Sequence, residues 1–306
     1  MPVLTVSHVT TYRYKQPVAF GEHRMMLRPR EGHDQRLLEA KLEITPKPAA
    51  LRWVHDVFGN SVAVATFSGR ACALRFASET RIDHQPLNEL DFQIEPYAET
   101  FPFSYGIEEI PDLARSIERH YPDSEREVDR WARQFLLADG PTGTFDLLER
   151  MTHGVRSGFT YVLRHQGGVQ TPAQTLKLGT GTCRDFALLM LEAARSLGLA
   201  ARFVSGYLYT PRSESRRRVG SGSTHAWVRV YLPGAGWIEF DPTNGIVGNR
   251  DLIRVAVARD PSQTIPLHGT WFGFPGDHLG MTVEVNVTSD AIDRTQEEET
   301  GSLEAG

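Results

Sequence analysis

The chain has 306 residues, with 33 Lys+Arg against 38 Asp+Glu and a formal net charge of −5. That mild acidity argues against binding nucleic acid or an anionic membrane, which needs clustered basic residues. The length allows about two domains, each with its own core. Only two cysteines occur, Cys72 and Cys183, which excludes a disulfide scaffold and a cysteine-based zinc ribbon. No apolar stretch of signal-peptide length opens the chain, and no run approaches the roughly 18 apolar residues of a membrane-spanning helix. A cytoplasmic location with reduced thiols is therefore expected.

Residues 1–88 read as a β domain. Short, partly alternating runs at 37–46, 52–56, 61–67 and 71–83 are separated by turn signals such as Phe58-Gly59-Asn60. That pattern predicts a β-sandwich-like or curled sheet. Residues 89–110, with Pro96 and Pro102, read as an extended linker. Ser124 and Glu127 have capping-box spacing, and Val128, Trp131, Ala132, Phe135 and Leu136 then fall on one helical face. Thr144 is placed to cap a further helix carrying Leu147, Leu148, Met151 and Val155. A long helix is expected from Cys183 to a stop at Gly198, followed by strands around 201–209, 225–231 and 237–241. Two more strands are expected near 252–257 and 281–287, which makes 111–288 an α+β domain with a helix leading into an antiparallel sheet. The stretch 289–306 is acidic, nearly free of large apolar residues, and reads as a disordered tail.

The segment Gly179-Thr180-Gly181-Thr182-Cys183-Arg184-Asp185 carries the strongest chemical signal. Its glycines let the backbone turn tightly, and Cys183 then stands at the start of a helix. Unpaired N–H groups and the helix dipole favour a negative group there, which is the nucleophilic thiolate form of a cysteine. The same N–H groups can hold an oxyanion on an attacked carbonyl. On the wheel, Arg184, Asp185, Glu192, Arg195 and Ser196 share one arc, and the remainder is apolar.

A nucleophilic cysteine needs a base and an orienting group. In His225–Leu232, Ala226, Val228 and Val230 alternate with His225, Trp227 and Arg229. In Trp237–Asp241, Ile238 and Phe240 are apolar and Asp241 lies on the opposite face. The apolar faces match if Val230 opposes Ile238 and Val228 opposes Phe240. That register puts His225 and Asp241 diagonally on one face, within side-chain reach. A five-residue connection, 232–236, is expected between the strands. Taken singly, Cys183 is a small core thiol, His225 a strand histidine covered by Trp227, and Asp241 a strand-ending turn residue. Only their order and the shared register unite them.

These residues resemble the bacterial transglutaminase-like proteins of the papain-like cysteine-enzyme superfamily. The likeness lies in GTCRDFA, SGYLY, THAWVRVYLPGAGWIEFDPTNG and VAVARD, and at the start in YRYKQPV, HRMMLRPR and DVFGNSVAVATF. It implies an α+β transglutaminase/papain-like core, with a helix-borne cysteine packed on an antiparallel sheet. It implies Cys183 as nucleophile, His225 as general base and then acid, and Asp241 as the group holding the imidazole. The implied chemistry is acyl transfer at a peptide or protein amide through a thioester. No cofactor, metal, nucleic acid or membrane partner is expected. Tyr161 and Trp227 are candidates for a second oxyanion donor, Asp185 for structural support, and Gly206, Tyr207 and Asn244 for packing and turns. Cys72 reads as an inert strand residue, and the basic loop 210–223 as a solvated edge of the cleft. A non-catalytic peptide-binding module on the same fold and a regulatory thiol at Cys183 remain open at this point. Metal-dependent hydrolysis finds no ligand spacing in the chain.

Overall fold

A computed structural model describes residues 3–86, 93–164, 167–211, 218–220 and 222–290. The expected acidic tail beyond Asp290 and half of the basic loop at 210–223 lie outside the described residues. The spine of the N-terminal sheet is β1 (Val3–Met25), in which Leu4, Val6, His8 and Thr10 are buried and the residues between them are half-covered. That is the alternation of a strand with one face on a core. Next come β2 (Gln35–Thr45), β3 (Ala50–His55), β4 (Ser61–Thr66) and β5 (Arg70–His84). The strand order is β2-β5-β1-β4-β3. β5 pairs with β1 from Val3 to Ala19, whereas β4 meets it only over His23–Met25. Since β1 changes partners along its length, the sheet bends over on itself. Leu74 and Phe76 of β5 thereby share one cluster with Ala63 and Ala65 of β4 and with Met25.

From residue 93 onward the expected linker is packed down. A short β6 (Thr100–Phe101) leads to α1 (Ile110–Ile117), and Ala98 and Tyr105 are buried. The Tyr105 hydroxyl donates to the Tyr231 carbonyl at 3.0 Å and accepts from the Ala200 N–H at 2.8 Å. α2 (Glu127–Arg133) is shorter than its apolar stripe predicts, and Phe135 and Leu136 lie beyond its end. Its first amides are held by Asp123 rather than Ser124: the carboxylate accepts from the N–H groups of Glu127, Val128 and Asp129. A carboxylate with two oxygens serves three donors where a single hydroxyl cannot. β7 (Thr142–Gly143) pairs with β6 and opens α3 (Thr144–Gly158). Thr144 is the first residue of that helix, not its cap, and its hydroxyl donates to the Ala98 carbonyl at 2.6 Å.

β8 (Thr160–Tyr161), α4 (Pro172–Leu178) and β9 (Thr180–Gly181) lead to α5 (Cys183–Ser196). Every residue of α5 from Phe186 to Arg195 is buried. The polar arc is therefore internal, and its members survive burial by pairing. Arg195 meets Glu192 at 3.0 Å and donates to the carbonyls of Ser116, Ala201 and Arg259. The helix lies on a five-stranded antiparallel sheet of β10 (Ala201–Leu208), β11 (His225–Leu232), β12 (Gly236–Asp241), β13 (Ile246–Val247) and β14 (Leu252–Ala258), in the order β13-β12-β11-β10-β14. Val230 opposes Ile238 and Val228 opposes Phe240, the register the apolar faces required. Pairing continues to Leu232 and Gly236, so the connection is the three residues 233–235 rather than five.

The chain ends by returning to its start. β15 (Leu267–Phe272) and β16 (His278–Ser289) both pair with β1, completing a seven-stranded sheet. The strand expected near 281–287 thus belongs to the N-terminal sheet and not to the 111–288 unit. Its alternating Met281, Val283, Val285 and Val287 suit any half-covered sheet, and the edge of β1 opposite β5 is the one it takes. The two sheets meet where Leu4, Val6 and Ile82 pack on Tyr207, Ile253 and Val255. Asp34 reaches across to Arg254 at 2.6 and 2.7 Å. Among the described residues, no helix is long and apolar enough to cross a membrane.

Candidate active site

The cysteine is placed by the turn before it. β8 and β9 run parallel, with Thr160 beside Thr180 and Tyr161 beside Gly181, which fixes the approach to α5. Gly181 has no room for a side chain: a Cβ there would stand 2.9 Å from Asp185 and 3.0 Å from the Phe186 ring. Thr182 is the N-cap and Cys183 the first helical residue. The Asp185 carboxylate reaches back to the Thr182 N–H and hydroxyl at 2.8 and 2.9 Å. Its other oxygen accepts from Arg164 at 2.9 Å and from the Gln170 N–H at 2.7 Å. Asp185 thus ties the helix start to the 164–170 segment, and its cationic partner is Arg164. Arg184 turns away, donating to the Pro261 carbonyl and lying 5.0 Å over the Phe203 ring. The first intrahelical bonds are those of Asp185 and Phe186 to the Thr182 carbonyl. The N–H groups of Cys183 and Arg184 precede them, as the first donors of a helix must.

His225 and Asp241 are brought together as the strand register demands. The imidazole Nε2 donates to Asp241 Oδ2 at 2.8 Å, and both side chains are fully buried. Nδ1 has no nitrogen or oxygen partner among the described residues. Cys183 lines the same cleft, and its side chain and charge favour the protonated ring. Burial by itself would lower the imidazole's proton affinity. The Asp241 charge and hydrogen bond, aided by Cys183, outweigh that, and His225 is pushed up to about 10. Burial would likewise raise the Asp241 carboxyl, but the His225 charge and three donors hold it below the usual carboxylate range. Besides His225, those donors are the Thr243 N–H to Oδ1 at 2.9 Å and Asn244 Nδ2 to Oδ2 at 2.9 Å.

Asn244, expected only to shape a turn, is part of this cluster. Its amide also accepts from the Val219 N–H at 2.8 Å and donates to the Val219 carbonyl at 3.2 Å. It therefore clamps the segment ahead of His225 to the aspartate that holds His225. Its three-residue spacing from Asp241 was visible in the sequence, but its second partner was not. Trp227 stacks on His225 at 6.0 Å and 29° and packs with Val204, Leu208, Leu252 and Val257. It supports the imidazole from below and does not line the cleft. Tyr161 does line it, and burial together with the Cys183 and Asp185 charges pushes its hydroxyl up to about 12, so it keeps its proton to donate. Cys72 is exposed on β5 and forms no part of the cleft.

The cleft over Cys183 measures roughly 520 Å³, the size of a site for a small ligand or a few peptide residues. One wall is the core: Tyr161, Thr182, Cys183 and His225. The other comes from the N-terminal sheet, through His8, Thr10 and Tyr12 of β1 and Met281 and Val283 of β16. The sequence carried no sign of this second wall. An arrangement of buried carboxylate, imidazole and helix-start thiol can attack an electron-poor carbonyl and return a proton to the leaving group.

Comparison with known proteins agrees with the architecture. Residues 4–83 match the bacterial transglutaminase-like N-terminal region, and residues 130–242 match the transglutaminase-like superfamily core. A protein of Mycobacterium tuberculosis with no assigned activity is 28% identical over 277 residues, 86% of each chain. One from Mycobacterium leprae is 26% identical over 302 residues, 92% of this chain and 98% of the other. The fold is similar to the crystal structure of a candidate cysteine protease from Cytophaga hutchinsonii, with a TM-score of 0.69, 18% identity, and coverage of 95% of this chain and 91% of that one.

Proposed function

This chain belongs to the transglutaminase-like superfamily, and from that premise we propose that it catalyses cysteine-dependent acyl transfer at peptide or protein amide bonds. The observation that carries the reading is the buried His225, bonded to Asp241 through Nε2 and lining the same cleft as the Cys183 thiol at the helix start. Protonated His225 beside the sulfur favours the thiolate. The sulfur attacks the amide carbonyl carbon, and the carbonyl electrons move to oxygen. The Cys183 N–H, with Tyr161 as a second donor, receives that oxyanion. As the oxygen electrons return, the C–N bond breaks and His225 delivers its proton to the departing amine. The remaining thioester is opened by water in hydrolysis or by an amine in transamidation. In either case, His225 takes the incoming proton, and the C–S bond breaks. Asp241 keeps the imidazole in the tautomer and orientation that both steps use.

Incubation with a peptide library, followed by mass spectrometry of Cys183, tests this reading. The wild-type protein should carry an acyl mass on Cys183, and His225→Ala should carry none. Products formed with and without an added amine separate transamidation from hydrolysis. If peptides bind but none acylates Cys183, the chain is a binding module and the enzymatic reading is wrong.

A further inference from the structure

The cross-strand pairs of β1 and β16 place Val6 beside Val287, His8 beside Val285, Thr10 beside Val283 and Tyr12 beside Met281. Side chains two apart on a strand share a face, so these pairs form one continuous stripe. At its near end the stripe is sealed: Leu4, Val6, Val285 and Val287 pack on Tyr207, Ile253 and Val255 of the core. His8 marks the end of the seal. It is buried, with Nδ1 on the Tyr207 hydroxyl at 2.8 Å and Nε2 on the Thr10 hydroxyl at 2.9 Å. Beyond His8 the same face continues past the junction and lines the cleft that holds Cys183, as Thr10, Tyr12, Val283 and Met281. Met281 is 52% exposed there, and Leu163 on the facing rim is 76% exposed. Leu267 and Ile265 extend the apolar lining.

Among the described residues, the Arg and Asp side chains that line the cleft are already hydrogen-bonded. Arg164 bonds Asp185, Arg184 bonds the Pro261 carbonyl, and Asp260 accepts from Tyr121 and Ser262. The cleft therefore presents apolar surface next to its sulfur, with its fixed charges committed elsewhere. The β16 edge is also tied to the nucleophile's base, since the Val285 N–H donates to the Gly222 carbonyl three residues ahead of His225.

We propose that the N-terminal sheet is the specificity wall of this cleft, and that Tyr12, Val283 and Met281 receive an apolar side chain of the peptide next to the scissile amide. This assignment rests on the acyl-transfer reading for the word scissile, and on the stripe alone for the choice of side chain. Removing a leucine-sized side chain from water against this face favours it over a charged one, which among the described lining residues meets only ions already hydrogen-bonded to other groups.

The test uses Cys183→Ala protein and short peptide amides carrying leucine, glutamate or lysine on either side of one amide, with binding read by calorimetry. The leucine peptide should bind at least about tenfold more tightly than the other two, the discrimination an apolar pocket typically provides. Met281→Lys, at an exposed strand position that does not test the core, should erase that preference and improve the glutamate peptide. Equal affinities, no binding, or a preference unmoved by both Met281→Lys and Tyr12→Ala would overturn the proposal. The same peptides with the wild-type protein separate the two claims. Acyl adducts without side-chain preference sink the wall and leave the enzyme. A binding preference without adducts sinks the enzyme and leaves the wall.

Discussion

Asn244 holds three things at once: Asp241 through its amide N–H, and the Val219 N–H and carbonyl through both ends of its side chain. Replacing it with alanine strips one donor from a buried carboxylate and frees the strap ahead of His225. Losing such bonds costs about 1–3 kcal/mol. If half of that appears at the transition state, the rate of Cys183 acylation falls by a factor of about 2 to 12. Stopped-flow acylation of Asn244→Ala should show this drop while the far-ultraviolet dichroism stays unchanged. An unchanged rate would mean that Asp241 needs no second support. The short spacing from Asp241 to Asn244 was legible in the sequence, because a turn after a strand is local. The bond to Val219 was not, because it joins residues 25 apart.

At the scale of an element, β10 decides how firmly His225 is seated. Its Gly206 pairs with His225 on one side and Arg254 on the other, beside a break in register after Ser205. A Cβ at Gly206 would stand 2.0 Å from the Ile253 carbonyl oxygen and 2.7 Å from the Trp227 ring. The first neighbour is backbone and the second is the buried ring beneath His225, so neither can yield freely. Gly206→Ala should therefore cost about 1–3 kcal/mol, the usual penalty for overfilling a packed core. Urea denaturation followed by tryptophan fluorescence measures it. Acylation should slow as well, since the Trp227 ring must shift the imidazole stacked on it. A variant as stable as the wild type would show that the strands spread without strain. The glycine in SGYLY reads as packing from the sequence, while the identity of what it packs against waits on the crossing of three strands.

In the whole molecule, the two sheets are joined by a buried charge cluster as well as by apolar contact. Arg254 of β14 donates to both oxygens of Asp34 and to Glu239 at 2.9 Å. Burial would raise the Asp34 carboxyl, but the Arg254 bonds and charge hold it well below the usual carboxylate range. Arg254→Met removes the shared cation and leaves two buried carboxylates without it. Breaking a buried pair in this way costs about 3–5 kcal/mol. The urea midpoint should fall accordingly, and peptide binding should weaken with it, because one wall of the cleft belongs to the N-terminal sheet. A variant with an unchanged midpoint would mean that the apolar contacts alone hold the junction.

The sequence by itself determined what short-range patterning controls. Alternating apolar residues in β11 and β12 set a register that a one-residue slip would turn inside out, and that register carries His225 to Asp241. The tight glycine turn and the Thr182–Asp185 spacing likewise set Cys183 at a helix start. Only the tertiary structure decided that β16 returns to β1 rather than joining the second sheet, and that Tyr12, Val283 and Met281 line the same cleft as Cys183. A strand's pattern specifies which face is covered but not which strand lies beside it. Partner choice between residues far apart in the chain follows from which open edge remains when the rest has packed.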